Sequence, residues 1–292
     1  TFHAAFYRIL RREEGLQAGS VLGQAQREAW VRELLQAEQA EEGREADFVS
    51  DLAAELSAFK AGRIDAASYQ ARCCDTVLFK RIAAEYEERL QLSGKVDFDD
   101  MLIRTKKLLT EKPEVLSLWQ KRYPYILVDE FQDINHLQYD ILRMLAEPER
   151  NLFVVGDDDQ SIYRFRGAAP DVMRQFPKDY PEAARYELFC CYRCSEAILS
   201  PCRKLIDHNK NRFRKELFSL TKRGTPPEIG VFPDRREEHK ALVAALKAQR
   251  QRGIPYGSMA VLCRTNYELS GLPGALACAG IPHVSRIPLP DP

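Results

Sequence analysis

Tyr125-Ile126-Leu127-Val128-Asp129-Glu130-Phe131-Gln132-Asp133 and Asn151-Leu152-Phe153-Val154-Val155-Gly156-Asp157 are the two stretches that decide how this chain folds. Each is a short, continuously apolar run that stops at acids. Between them Leu137, Ile141, Leu142 and Leu145 recur at helical steps, which predicts an amphipathic helix. Strands apolar on both faces with a helix between them read as a βαβ unit in a buried parallel sheet. The fold class is therefore α/β. The acids fall at the carboxyl ends of the strands, where ligands sit in such sheets.

On the N-terminal side the pattern is helix after helix. Val21–Leu35 and Ala46–Ala61 are rich in Ala, Glu, Leu and Gln, all good helix formers. In Ala66–Leu92 the residues Phe79, Ala83, Tyr86 and Leu90 make one apolar stripe. Gly94 is placed to end that helix and Asp97 to cap the next, which carries Met101, Leu102, Leu108 and Leu109. On the C-terminal side Ile229–Phe232 and Met259–Cys263 read as strands around a helix at about 236–251. A final helix is expected from Pro273 to Gly280.

The chain has 292 residues, enough for one large or two moderate domains. Hydrophobic residues make up 45% and charged residues 29%, ordinary values for a soluble globular protein. Lys+Arg and Asp+Glu balance at 43 each, so any nucleic-acid contact must come from a local groove. No apolar run approaches the roughly 18 residues that cross a bilayer, and no signal-peptide pattern opens the chain. The eight cysteines are scattered, which suits a reducing, cytoplasmic setting. Thr1-Phe2-His3 reads as the middle of a domain, so a fragment of a longer protein is expected.

An aspartate directly after a buried strand suits Mg²⁺ that bridges phosphate oxygens, and an adjacent glutamate suits activation of the attacking water. Asp129-Glu130 is that Walker B arrangement. Alone it is a weak signal, because helix caps and solvated turns look alike. The second stretch is far more specific: Gly156-Asp157-Asp158-Asp159-Gln160-Ser161-Ile162-Tyr163-Arg164-Phe165-Arg166-Gly167-Ala168. With Val128–Asp133 it resembles motifs II and III of the UvrD/Rep superfamily 1 helicases. Phe165 stands where that family usually has tryptophan. Thr1-Phe2-His3 with Arg8-Ile9-Leu10 resembles motif Ib, and Val96–Leu102 the return to the first lobe. Tyr192-Arg193 matches the core of motif IV, and Ala260–Asn266 with Ala279–Pro282 resemble the opening of the second lobe.

The resemblance implies a partial RecA-like lobe of P-loop NTPase fold, an inserted helical subdomain, and the start of a second RecA-like lobe. On that reading residues 1–20 and 95–189 belong to the first lobe, 21–94 to the insertion and 190–292 to the second lobe. It implies an ATP-dependent DNA helicase that moves 3′ to 5′ on single strands and unwinds duplex DNA in repair or replication. ATP and Mg²⁺ are the expected cofactors, and single-stranded and duplex DNA the expected partners. Asp129 would hold Mg²⁺ through water, Glu130 would activate water, Gln160 would sense the γ-phosphate, and Arg193 would act as an arginine finger. Tyr192 would stack on adenine. Phe2, His3, Tyr163, Phe165 and Arg166 would face DNA, since bases stack on aromatics and arginine holds phosphate. The alternatives are the motor of a helicase–nuclease and a non-catalytic DNA-binding or interaction module.

The 292 residues hold no G-x-x-x-x-G-K-[ST]. Gly94-Lys95 lacks both the earlier glycine and the following Ser or Thr. The chain alone is therefore expected to be inactive, with some apolar surface left open. Cys191 and Cys194 form a C-x-x-C near Cys190 and Cys202, readable as a zinc or iron–sulfur site but more readily as small buried hydrophobes. The stretch 203–223, with Lys210, Arg212, Arg214 and Lys215, reads as a nucleic-acid path or a solvated helical face.

Overall fold

The computed structural model describes residues 1–38, 46–61, 68–164, 167–221, 224–265 and 268–285. The chain forms two compact units, Thr1–Phe189 with Arg203–Leu217, and Cys190–Cys202 with Phe218–Pro292.

In the first unit, α1 (Phe2–Glu14) starts at Thr1, whose hydroxyl accepts from the Ala4 amide, and ends at Gly15 with φ 70°. It buries Phe6, Ile9 and Leu10. The chain then passes into α2 (Gln24–Ala37), α3 (Ala46–Ala61) and α4 (Thr76–Ser93). These helices close over their own core, which includes Trp30, Leu35, Leu52, Phe79, Ile82 and Tyr86. The start of α4 corrects the sequence expectation of a helix from Ala66; residues 66 and 67 lie outside the described ones. The Asp75 carboxylate accepts from the amides of Val77 and Leu78 at 2.9 and 3.2 Å and caps the helix there. Just upstream, the Glu55 carboxylate takes the amides of Arg72 and Cys73 at 2.7 and 2.9 Å, which satisfies them outside any helix.

Gly94 ends α4 with φ 63°, and Asp97 opens α5 (Phe98–Glu111) in a reciprocal capping box with Asp100. Leu22 donates to the Val96 carbonyl at 2.8 Å and Val96 to that of Ser20 at 2.9 Å, so the outgoing and returning chains run side by side. Beside this junction the Lys60 ammonium lies 3.0 Å from Asp97, 2.7 Å from Asp100 and 2.6 Å from Glu87. Burial alone would raise the Asp97 carboxyl; the Lys60 charge, the Asp100 amide and the Arg27 charge together outweigh it and hold the group below its ordinary value.

The chain continues through α6 (Pro113–Arg122), β1 (Ile126–Val128), α7 (His136–Ala146), β2 (Leu152–Val154) and α8 (Pro170–Asp179). β1 and β2 are parallel, with Ile126 opposite Leu152, Leu127 opposite Phe153 and Val128 opposite Val154. Ile126, Val128, Leu152 and Val154 pack toward Phe131, Tyr139, Leu142, Val172 and Phe176. Leu127 and Phe153 on the other face are 74% and 58% exposed. A sheet buried on both faces is thus not what the described residues form. The parallel pairing is there, but the helices cover one face of it.

The second unit holds β3 (Cys190–Cys191), α9 (Glu196–Ile206), β4 (Phe218–Ser219), α10 (Arg235–Gln251) and α11 (Leu272–Cys278), with β3 parallel to β4. The last residues of α9 run into the 203–217 segment of the first unit. Asp234 caps α10, whose Leu242, Val243 and Leu246 pack on Leu272, Leu276 and Ile281. The expected strands at Ile229–Phe232 and Met259–Cys263 do not form among the described residues. An apolar run becomes a strand only against a partner's backbone; here Ile229, Val231 and Leu262 are 93%, 90% and 92% exposed.

Candidate active site

β1 ends at Val128, and the next two residues carry the first acids. The Asp129 carboxylate is exposed and accepts the Glu130 amide at 3.0 Å. Glu130 sits in the left-handed region with φ 52° and ψ 44°, unusual for a residue with a side chain. This reversal starts a short 3-10 turn, Phe131–Asp133, that returns the chain to the core through Phe131. Among the described residues neither Asp129 nor Glu130 forms an ion pair within 4.0 Å. An exposed carboxylate with no cationic neighbour at a strand end is a donor that fits a hard cation such as Mg²⁺.

Gln132 joins this strand end to the next one. It is 1% exposed, and its Nε2 donates to Glu130 Oε2 at 2.7 Å while its Oε1 accepts the Asp157 amide at 3.0 Å. Its carbonyl accepts the Ser161 hydroxyl at 3.3 Å, and Phe131 donates to the Val155 carbonyl at 2.9 Å. Gly156 makes the close approach possible: a Cβ there would stand 2.7 Å from Gln132 Oε1. Asp133 is the second acid of this turn. Burial, then the charge of Glu130, raises its carboxyl above the ordinary value.

After β2, Asp157 caps the turn Asp158–Gln160 by accepting the Asp159 amide at 3.1 Å. The Gln160 side chain is exposed and donates through Nε2 to Asp157 Oδ2 at 2.8 Å. The parallel register and Gln132 therefore bring Asp129, Glu130 and Gln160 to the same edge of the two-stranded sheet.

The three aspartates have carboxylate oxygens within 4.8 Å of one another, a spacing that suits a metal ion. Protein cations meet them. Arg212 donates to both oxygens of Asp159, from Nε at 2.7 Å and from Nη2 at 2.6 Å. Lys215 Nζ pairs with Asp157 and lies 2.5 Å from Asp158 Oδ1. Burial alone would raise the Asp157 carboxyl; the bonds from Lys215 and Gln160 outweigh it and hold it below the ordinary range. Burial would likewise lower Lys215, yet Asp157 and Asp158 raise it. This corrects the reading of 203–223 as a helical face. The helix stops at Ile206, and Arg212 and Lys215 lie on an irregular segment against the β2 end. Gln132 carried no assigned role in the sequence, and Arg212 and Lys215 were expected only on a nucleic-acid path or a solvated helical face. Gln132 was detectable as an uncharged residue between acids; the two cations stood out only as part of a basic run, with nothing local to tie them to the aspartates.

Tyr163 is 39% exposed, and its carbonyl accepts the Ala168 amide at 3.2 Å. Phe165 and Arg166 lie outside the described residues. Phe2 is half-buried against the core of the first unit and stacks obliquely on Phe6 at 5.9 Å. His3 packs edge-on against Phe98 at 5.0 Å, and burial, opposed by Asp99, lowers its ring below the ordinary value. Tyr192 and Arg193 belong to the second unit and are exposed. Cys190, Cys191 and Cys194 beside them are half-buried free thiols, and the Cys194 amide donates to Cys191 Sγ at 3.4 Å. Among the described residues they form no group of three metal ligands. No helix among those residues is long and apolar enough to cross a membrane.

Comparison with known proteins agrees with the motifs. The UvrD-like helicase C-terminal domain matches residues 186–286. The putative ATP-dependent DNA helicase YjcD of Bacillus subtilis is 40% identical over 205 residues, covering 70% of this chain and 27% of that protein. The ATP-dependent DNA helicases PcrA of Staphylococcus epidermidis and Staphylococcus aureus are each 30% identical, covering 97% of this chain and 39% of those proteins. The chain thus spans well under half the length of these relatives. Since the UvrD/REP helicase N-terminal domain also matches residues 1–181, most of the sequence, the chain belongs to the UvrD/Rep helicase family.

Proposed function

We propose that these residues form part of an ATP-dependent DNA helicase that couples ATP hydrolysis to movement on single-stranded DNA and to duplex unwinding. One observation carries the reading: two parallel strands present an unpaired Asp129–Glu130 pair and Gln160 at one edge, tied together by Gln132. Asp129 would hold Mg²⁺ through water, and the ion would supply positive charge that offsets that of the phosphates. Glu130 orients and deprotonates the attacking water. Its Oε2 already accepts from Gln132, which fixes the carboxylate's direction. Gln160 meets the terminal phosphate and relays its presence along the continuous segment to Tyr163, Phe165 and Arg166, which face single-stranded DNA by stacking and phosphate contact. Phe2 and His3 lie along the same DNA track.

For Tyr192 on adenine and Arg193 on the transferring phosphate, the support is the likeness of motif IV. Translocation from 3′ to 5′, a role in repair or replication and a cytoplasmic location rest on the same family likeness. The 292 residues contain no Gly-Lys-Ser/Thr, so this chain by itself turns over ATP slowly at best.

The test is Glu130→Gln in the full-length protein that joins these residues to a phosphate loop. Hydrolysis should fall by about 10²–10⁴-fold while ATP binding persists. Unchanged turnover would remove Glu130 from the reaction.

A further inference from the structure

We propose that Lys215 and Arg212 are positioning residues for Gln160: the 203–217 strap fixes the turn that carries this glutamine and so governs its access to a terminal phosphate. The proposal rests on the ATP reading of Gln160 given above. Three consecutive aspartates in one tight turn repel one another, and a turn left to that repulsion would open. The strap supplies the opposing charge. Arg212 grips Asp159 with both prongs of its guanidinium and reaches Asp207 at 3.1 Å. The Phe213 amide donates to Asp158 Oδ2 at 2.6 Å. The Arg212 and Lys215 side chains are only 10% and 17% exposed.

Asp157 is the joint between strap and sensor. One of its oxygens pairs with Lys215, and the other accepts Gln160 Nε2 at 2.8 Å. Removing the lysine leaves a carboxylate free to turn away with the glutamine it holds. The strap is also continuous at both ends with the second unit, through Cys202 and Phe218.

The experiment measures DNA-stimulated ATP hydrolysis by the full-length protein, singly and in a cycle with Gln160→Ala. Lys215→Met should lower kcat about tenfold with KM for ATP changed less than about twofold, and Lys215→Arg should restore most of the rate. On the Gln160→Ala background, Lys215→Met should add less than about a twofold loss, because both act through one group. Hydrogen exchange at the Asp159 and Gln160 amides should quicken in Lys215→Met while the rest of the first unit is unchanged. Full additivity of the two substitutions, or a loss seen only as lower Tm, overturns the strap while leaving the ATP reading standing. A Gln160→Ala protein as fast as the parent removes the sensor itself, and the strap proposal falls with it. Should Lys215→Met fail to fold, Arg212→Lys, which keeps the charge but loses the fork, is read in the same cycle, and additivity there is equally decisive.

Discussion

The two strand ends carry the same kind of residue and treat it in opposite ways. After β1, Asp129 and Glu130 stand exposed without a cationic partner among the described residues. After β2, Asp157, Asp158 and Asp159 are gripped by Lys215 and Arg212. A carboxylate that already holds a lysine has its charge spent on the fold. One that meets no cation keeps it for a ligand. The triple aspartate is the denser cluster of acids, yet it is the one whose charge the fold already meets. Partnering, rather than density, separates the carboxylates proposed for the reaction from those that hold the turn.

The contrast can be broken at several points. The largest effect belongs to Glu130→Gln, with its about 10²–10⁴-fold loss of hydrolysis; a similar loss in Asp158→Asn, with ATP binding intact, would erase the distinction. Next comes Arg212→Ala. It leaves the part-buried Asp159 carboxylate without its bidentate partner and should cost the chain about 2–3 kcal/mol, read as a lower urea midpoint. Gly156→Ala drives a Cβ to 2.7 Å from Gln132 Oε1. It should cost about 1–2 kcal/mol and loosen the bridge between the strand ends.

The ion pair at the β2 end also carries a pH signature. Asp157 titrates below its unfolded value, so its contribution to stability is present above about pH 3.9 and is lost as pH falls through the folded value beneath it. Lys215 titrates above its unfolded value, so its contribution persists at all lower pH and is lost only as pH rises through the folded value, above about 10.4. Acid titration should therefore destabilise the parent more than Lys215→Met in that low window, and equal slopes would contradict the ion pair. The smallest effect is expected at Phe153→Ser on the open face of the sheet. A change within about 0.5 kcal/mol in this chain is predicted, because that ring loses little contact.

Much of this was legible in the sequence, and for local reasons. Asp97 and Asp100 cap α5 through side chains three residues apart, and Gly94 ends α4 in a conformation that glycine tolerates. The β1–α7–β2 unit announced itself by two apolar runs and a helical stripe, and the acids at the strand ends followed from parallel-sheet geometry. Residues 229–232 and 259–263 misled because an apolar run specifies a preference for burial, while a strand also needs a neighbour's amides and carbonyls. The Arg212–Asp159 pair, 53 residues apart, leaves no periodic trace. Its cations sit in a run of basic residues that composition reads as solvated surface. The start of α4 was hidden for a similar reason, since it depends on Glu55 of another helix claiming the amides of Arg72 and Cys73.

The most direct measurement is Mn²⁺ binding in the presence of ATP, followed by electron paramagnetic resonance in the full-length protein with Asp129→Asn and, separately, Asp159→Asn. The account predicts that Asp129→Asn weakens the bound manganese by at least about tenfold, or 1.4 kcal/mol, while Asp159→Asn leaves it within about twofold. Tight manganese in Asp129→Asn together with its loss in Asp159→Asn would place the cation at the other strand end and contradict the account.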